Sequence, residues 1–306
     1  MLDLAVAYRE ETFERMRDPL AERGIAVHHV PSEARTVSLS DPPWTPEEFD
    51  AGFVYPSRAM EGGVLDALLD VLWVNDREDV LTSRNKAGAI VELERAGIPV
   101  PESVLVSNPA EESDLLAAFD RFDPPVVVKP NSTTRGVGVA KLGDADSFLG
   151  VTDYLDLVHD YRATGDKSFL VQEYVPDAVD YRAMVVDGEC VGGVERRLPD
   201  PADESPADES GSEEVRPDRW KHNVHRGATA TGVDLPEDLR TLAERTADAL
   251  GIDFLGVDLL VTEDCAVVNE TNARPTIDAK TKYDDGFYDR LADLIRETAE
   301  ISDNDY

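Results

Sequence analysis

The spacing of apolar residues changes period several times along the chain, and each change predicts an element. MLDLAVAY, residues 1–8, is an apolar run that reads as a first strand. An amphipathic segment follows at 9–23 and stops at Gly24, and GIAVHHV is then a second strand. AGFVY (51–55) predicts a strand, residues 62–70 a helix, and VLWV another short strand. This β-α-β opening over residues 1–80 predicts a small open α/β unit.

Residues 82–97, TSRNKAGAIVELERAG, predict a helix capped by Thr82 or Ser83 and ended by Gly97, with apolar residues at 87, 90, 91 and 93. The prolines of IPVPESVLV forbid further helix, and 111–121 is a short helix. PPVVVKP is a buried strand, and VGVAKL is its partner across a Ser/Thr/Gly loop, so this segment predicts a hairpin. A helix spans 145–163. Strands SFLVQEYV, DYRAMVVDG and ECVGGVERR come next, the last two joined by an Asp-Gly turn. Residues 236–250 form a helix stopped by Gly251, IDFLGVDLLV and CAVVNETN are two strands, and 284–298 is the last helix. Residues 198–219 break the pattern: the tandem repeat PADESPADES and the acidic segment after it have almost no apolar residues and read as a solvated insertion.

Composition changes this picture in one respect. Of 306 residues, 64 are Asp or Glu and 30 are Lys or Arg, a net charge of −34. Acids spread along the whole chain, with few lysines, are the composition of halophilic proteins, so a halophilic source is expected. The charge excludes broad nucleic-acid or anionic-membrane surfaces, which need basic patches. No apolar run approaches the roughly 18 residues that span a bilayer. Residues 1–8 lack the basic start of a signal peptide, and Cys190 and Cys265 read as buried free thiols, so the expected location is cytoplasmic.

Scarce lysines single out those in unusual places. Lys129 ends an apolar strand, and Lys86 sits in the first turn of a helix, where the dipole mildly disfavours a cation. Both positions make sense around an anion, and the amides of the loop 131–138, with Gly136 and Gly138, can approach phosphate oxygens. Each lysine can also be a snorkelling surface residue. Near the C-terminus, Glu270 and Asn272 share one strand face. A three-residue turn at 263–265 would pair 262 with 266 and set Asp258 opposite Glu270. Two carboxylates and an amide oxygen on one face suit a hard cation such as Mg2+. A solvated acidic hairpin is the other reading of the same residues.

In chain order, the segments SRNKAGAIVELERAGIPVP, VVVKPNSTTRGVGVAKL, VQEYV with DYRAMVV, GGVERR, NVHRGA, and GVDLLV with VVNETNARP resemble the ATP-grasp superfamily, specifically its RimK-like carboxylate–amine ligases. The resemblance covers most of residues 75–300. It implies an α/β (α+β) ATP-grasp fold: an N-terminal open α/β domain over 1–80, then an ATP-grasp module over 81–302. That module would divide into a small lid at about 98–171 and a C-terminal part at 172–302.

The resemblance also implies roles. Lys86, Lys129, Thr133, Gly136 and Gly138 would meet ATP. Gln172, Glu173, Tyr174 and Val175 would form the adenine hinge on an edge strand, with Asp180 on the ribose and Lys221 also on the nucleotide. Asp258, Glu270 and Asn272 would hold Mg2+ or Mn2+. Arg182, Asn223 and Arg226 would act at the reacting groups, and Arg196, Arg197 and Arg274 would bind substrate. His222 and His225 lack acidic or metal partners at useful spacing and are assigned to packing or ribose contact.

The implied partners are ATP, an acceptor carboxylate and an amino acid, with glutamate suspected as the amine; an oligomer is compatible. The acceptor could be a protein C-terminus, a deazaflavin coenzyme tail or an amino-acid carrier protein. A non-catalytic ATP-binding regulator is the alternative from another class, and an acidic interaction protein a third. One departure stands out: relatives carry a small residue and Pro-Gly after the metal-binding Asn, whereas here NARPTID places Arg274, able to grip a second substrate carboxylate.

Overall fold

The computed structural model describes residues 1–31, 33, 36–133, 137–160, 166–197, 229–278 and 282–304. Gly136, the acidic repeat, Lys221, His222, Asn223, His225 and Arg226 lie outside the described residues.

The opening segments form a parallel sheet from β1 (Leu2–Val6), β2 (Ile25–His29), β3 (Ala51–Phe53) and β4 (Trp73–Val74), in the order β2-β1-β3-β4. Helices α1 (Glu10–Ala21) and α2 (Ala59–Leu69) make the crossovers. Thr12, Met16 and Leu20 recur every fourth residue in α1, so one stripe is buried.

The single helix expected over 82–97 is two helices, α3 (Arg77–Arg84) and α4 (Lys86–Arg95). Asp76 caps α3: its side chain accepts the amides of Glu78 (2.7 Å) and Asp79 (3.0 Å), while Asp79 accepts the Asp76 amide at 2.9 Å. Asn85 leaves helical geometry (φ −78°, ψ 83°) and caps α4 through Gly88. The caps are Asp76 and Asn85, not Thr82 or Ser83.

A second sheet is antiparallel: β5 (Ser103–Ser107), β6 (Val126–Pro130), β7 (Ala140–Leu142) and β8 (Ser168–Glu173), in the order β5-β8-β6-β7. The expected hairpin is present, with Val126 opposite Leu142 and Val128 opposite Ala140. Helices α5 (Glu112–Phe119) and α6 (Ala145–Asp160) cover this sheet over a separate core that includes Phe119, Val128, Phe148, Phe169 and Val171.

The third sheet holds β9 (Val179–Val186), β10 (Glu189–Arg197), β11 (Thr229–Val233), β12 (Phe254–Val261) and β13 (Ala266–Asn272), in the order β11-β10-β9-β12-β13. Asp187 and Gly188 (φ 47° and 72°) make the Asp-Gly turn between β9 and β10. Helix α7 (Glu237–Leu250) buries Leu239, Leu242 and Ala243 with Ala183, Val185 and Val257 on one face. On the opposite face, Met184, Val186 and Phe254 pack with Phe53, Phe287 and Leu291, bringing in sheet one and α8 (Phe287–Asn304). Sheets one and three therefore share hydrophobic core. Asn75, 3% exposed, ties them: its Nδ2 donates to the carbonyls of Phe254 and Ala273, and its Oδ1 accepts the Phe254 amide at 3.2 Å. Among the described residues no helix is long and apolar enough to cross a membrane. Cys190 is buried, but Cys265 is exposed beside the β12–β13 turn, contrary to the sequence expectation.

Candidate active site

The face of β9 and β12 that is apolar at Val186 and Phe254 becomes ionic two pairs further along. Arg182 lies opposite Asp258 across β9–β12, and Asp258 lies opposite Glu270 across β12–β13. The pairing is the expected one, but it is reached differently. Val261, not Thr262, pairs with Ala266, and Thr262 donates to the Cys265 carbonyl at 2.8 Å, so two residues make the turn. A bulge at Asn269 then shifts the register by one and restores Asp258 to Glu270.

Arg182 grips Asp258 with both arms, Nε to Oδ1 at 2.6 Å and NH2 to Oδ2 at 2.8 Å. Arg196 reaches the same Oδ2 at 3.0 Å and donates its Nε to Asp180 at 2.8 Å. Burial alone would raise the Asp258 carboxyl, but Arg182 and Arg196 overcome it and hold the group at about 2. Asp180 goes the other way. Burial, with repulsion from Asp258, outweighs Arg196 and pushes it up to about 7. Arg182 is raised, because Asp258, then Asp180 and Glu270, outweigh its desolvation.

Lys86, at the start of α4, brings Nζ within 3.3 Å of Glu270 Oε1 and donates to the carbonyl of Thr133. Asn131 fastens the loop to the same helix: its Oδ1 accepts the Ala87 amide at 2.9 Å, and its Nδ2 donates to Asn85 Oδ1 at 3.0 Å. Lys129 is 4% exposed and points across to β13, where its Nζ donates to the carbonyl of the bulge residue Asn269 at 3.3 Å. Desolvation first, then Lys86, lowers its ammonium to about 8 against the pull of Glu270 and Asp258. Gly138 has φ +79°, and a Cβ there would meet Pro130 Cγ at 2.8 Å, so the loop needs glycine.

A cleft of about 610 Å3 runs from this network to the carboxyl ends of the N-terminal strands. Lys86, Arg182, Arg196, Asp258, Glu270, Asn272 and Arg274 line it. Arg274 stacks on Tyr8, 4.8 Å from guanidinium carbon to ring centroid, and donates to the Tyr55 carbonyl. Burial, with Arg84 and Arg9 nearby, lowers it to about 10 despite Tyr8 and Glu33.

Two sequence expectations are corrected. Side-chain alternation turns Arg197 to the other face of β10, where it is 74% exposed and paired with Glu195, so it does not line the cleft with Arg196. The hinge is not on an edge strand: β8 lies between β5 and β6, Gln172 is buried and donates to Ser103 Oγ at 2.8 Å, and the Glu173 amide bonds the Glu102 carbonyl. Tyr174 and Val175 lie beyond the end of β8, and Lys141 packs over the Tyr174 ring. Sequence reasoning missed Asn85, Asn131 and Asn269, amides adjacent to the singled-out lysines and carboxylates, and the arginine Arg84. The signal was present in Asn85-Lys86 and Lys129-Pro130-Asn131, but an amide has no local pattern that separates loop from site.

Asp258, Glu270 and Asn272 are the oxygen donors that would hold a divalent cation shared with phosphates, with both Asp258 oxygens gripped by Arg182 and Arg196 in this structure. Asp258 and Glu270 supply hard oxygens across one ladder pair, and Asn272 Oδ1, which accepts the Arg274 amide at 2.9 Å, keeps a second lone pair. No group of three Asp, Glu, His or Cys side chains suited to a metal occurs among the described residues, so the set depends on that amide.

A probable alpha-L-glutamate ligase from Enterobacter sp. (strain 638) is 29% identical over 211 residues, 68% of this chain; the chain spans 62% of that relative's length. The fold is similar to D-alanine–D-alanine ligase from Bacillus anthracis complexed with ATP, with TM-score 0.66, 15% identity and 100% of both chains covered. It is also similar to a RimK domain ATP-grasp protein from Sphaerobacter thermophilus, with TM-score 0.60, 22% identity, and 98% and 99% of the two chains covered. The family model of the RimK-like ATP-grasp domain matches residues 83–203 and 210–287. With that match over most of its length and an ATP-grasp fold in three dimensions, the chain belongs to the RimK-like ATP-grasp family.

Proposed function

We propose that the protein is an ATP-dependent carboxylate–amine ligase. The observation that carries this reading is the register of β12 and β13, which sets Asp258 against Glu270 in a cleft that also holds Lys86, Arg182 and Arg196. Lys86, Lys129, Arg182 and Arg196 around the carboxylates of Asp180, Asp258 and Glu270 form a site able to collect further negative charge. In this reading an acceptor carboxylate oxygen attacks the γ-phosphorus of ATP, the bond to the β–γ bridging oxygen breaks, and ADP leaves. An amine then attacks the acylphosphate carbon, phosphate departs, and the nitrogen loses a proton to give an amide.

The chain's own residues orient and neutralise. Lys86 and Lys129 meet the phosphates. The sheet of β5 to β8 acts as a lid, and Tyr174 and Val175 face the adenine just past the strand end. Arg182 and Arg196 release Asp258 in part when substrate anions arrive. Asp258, Glu270 and Asn272 would hold Mg2+ or Mn2+, which would supply charge neutralisation at the phosphates. L-Glutamate as the amine is supported by the name of the Enterobacter relative.

The test is ATP turnover to ADP in low and molar KCl with L-glutamate and candidate carboxylates, with mass spectrometry of the products. Turnover with an amide adduct is expected, and Lys129→Ala and Glu270→Ala should abolish it while retaining the wild-type circular dichroism spectrum. Ligation by either variant at the wild-type rate would sink the assignment, and a nucleotide-induced thermal shift without any turnover would identify a binder instead.

A further inference from the structure

The far end of the cleft carries charge that the phosphate chemistry does not use. Arg84 ends α3, and its NH2 donates to the Ser57 carbonyl at 2.7 Å. Arg274 follows β13 and donates to the Tyr55 carbonyl, its guanidinium lying on the Tyr8 ring. The loop after β3 therefore fixes both guanidiniums through neutral carbonyls. Tyr8 holds the Arg274 backbone as well, donating its hydroxyl to that carbonyl at 2.8 Å. Arg9, on the same cleft wall, follows Tyr8 directly.

None of these three arginines has a salt bridge among the described residues, whereas Arg182 and Arg196 in the same cleft are fully engaged with Asp258 and Asp180. In a chain with 64 acids and 30 basic residues, a partner is easy to supply. Among the described residues, Arg84 and Arg274 each make one side-chain hydrogen bond, to a backbone carbonyl, and keep most of their five N–H donors for another acceptor. Like charges brought together and left unmatched are unfavourable unless an anion joins them. Glu33 lies on the same side, accepting from the hydroxyl of Ser57, the residue whose carbonyl takes Arg84, and it forms no salt bridge with Arg84 or Arg274 among the described residues.

We propose that Arg84 and Arg274, with Arg9 at the rim, form a carboxylate-binding subsite for an acid group of the substrate other than the one that is activated. This deepens the ligase reading and rests on it. A planar guanidinium pair matches a carboxylate with parallel N–H···O bonds, and both arginines are pre-oriented by their carbonyl and ring contacts. The subsite lies close to the reacting groups, because only Ala273 separates Asn272 from Arg274, at most roughly 7 Å between Cα atoms. It also lies at the carboxyl ends of the parallel strands, the usual ligand edge of an open α/β sheet. The substrate class is thus a compact molecule with two acid groups, or an amino acid whose own carboxylate docks here while its amine faces the cleft.

The experiment uses the full chain with Mg2+ and a non-hydrolysable ATP analogue, and measures binding of glutarate, butyrate, L-glutamate and inorganic phosphate by calorimetry. Glutarate or L-glutamate is expected to bind about tenfold or more tighter than butyrate, and Arg274→Gln should erase that preference. Arg84→Gln is the second variant, should Arg274→Gln fail to fold, and is expected to erase it too. L-Glutamate favoured over glutarate puts the docked carboxylate on the incoming amino acid; equal affinity, or glutarate favoured, puts it on the acceptor. No preference for the second acid group in the wild type, a preference retained in the variants, or phosphate bound as tightly as glutarate each overturns the subsite. A wild type that binds no ATP analogue overturns the ligase reading itself, and so registers as a separate failure.

Discussion

Replacing Lys129 with methionine is expected to make the ligand-free protein more stable while removing its response to nucleotide. Lys129 is 4% exposed at the end of a strand whose five residues are all buried. Its ammonium sits at about 8 instead of the ordinary 10.5, with desolvation the largest cause. Folding thus favours the neutral amine. The penalty for carrying the charge is fully present below pH 8 and fades as pH rises from 8 towards 10.5. A gap of that size corresponds to about 3 kcal/mol at pH 7. Methionine matches the length and buries no charge there. It gives up the 3.3 Å bond to the Asn269 carbonyl, a loss of about 1 kcal/mol. The net expectation is a gain of about 2 kcal/mol, or about 4 °C in Tm for a chain of this size. The assay is thermal unfolding at pH 7 and pH 10, in low and molar KCl, with and without Mg–ATP. The advantage should shrink at pH 10, and salt should alter it little, because the charge is buried. A variant that melts below the wild type without nucleotide would refute the argument and make Lys129 a structural ion partner.

Three further outcomes are expected. Asn75→Ala leaves the Phe254 amide and two buried carbonyls without their partner and should lower stability by about 3 kcal/mol in urea unfolding, with a loss under about 1 kcal/mol arguing against the tie between sheets. Gly192 has φ +148°, and a Cβ there would stand 2.6 Å from the Lys282 carbonyl, so Gly192→Ala should cost about 2–4 kcal/mol; an unchanged melting temperature would contradict the close approach. Asp79 is raised to about 6, chiefly by desolvation, so folding favours its protonated form and the wild type loses stability as pH rises from 3.8 through 6. Asp79→Asn should therefore gain on the wild type between pH 4 and pH 8, and a melting difference that is flat with pH would rule this out.

Much of the fold was legible because its signals are local. The amphipathic stripe of α1, the Asp-Gly turn between β9 and β10, and the glycine stop after α7 each act over a few residues, and each occurs where the pattern puts it. The hairpin of β6 and β7 was legible for the same reason. The break at Asn85 was not, because one continuous amphipathic run contains two caps whose hydrogen bonds appear only once the backbone turns. The edge-strand hinge failed because strand order in a sheet depends on which distant segment, here Ser103–Ser107, pairs with β8.

The site divides along the same line. Sequence alone marked residue types that are out of place in their surroundings: lysines at a strand end and a helix start, acids inside apolar strands, and Arg274 after Asn272. It also set the alternation that separates Arg196 from Arg197, without saying which of the two faces inward. Tertiary structure decided that face. It supplied the bulge at Asn269 that restores Asp258 to Glu270 after a turn one residue shorter than expected, and it brought Arg84 and Arg274 into one cleft across 190 positions of chain. The physical reason is range. Propensity, capping and turn chemistry act between neighbours and are written in short windows, whereas the pairing of charges is settled by desolvation and packing among segments that meet only in the folded molecule.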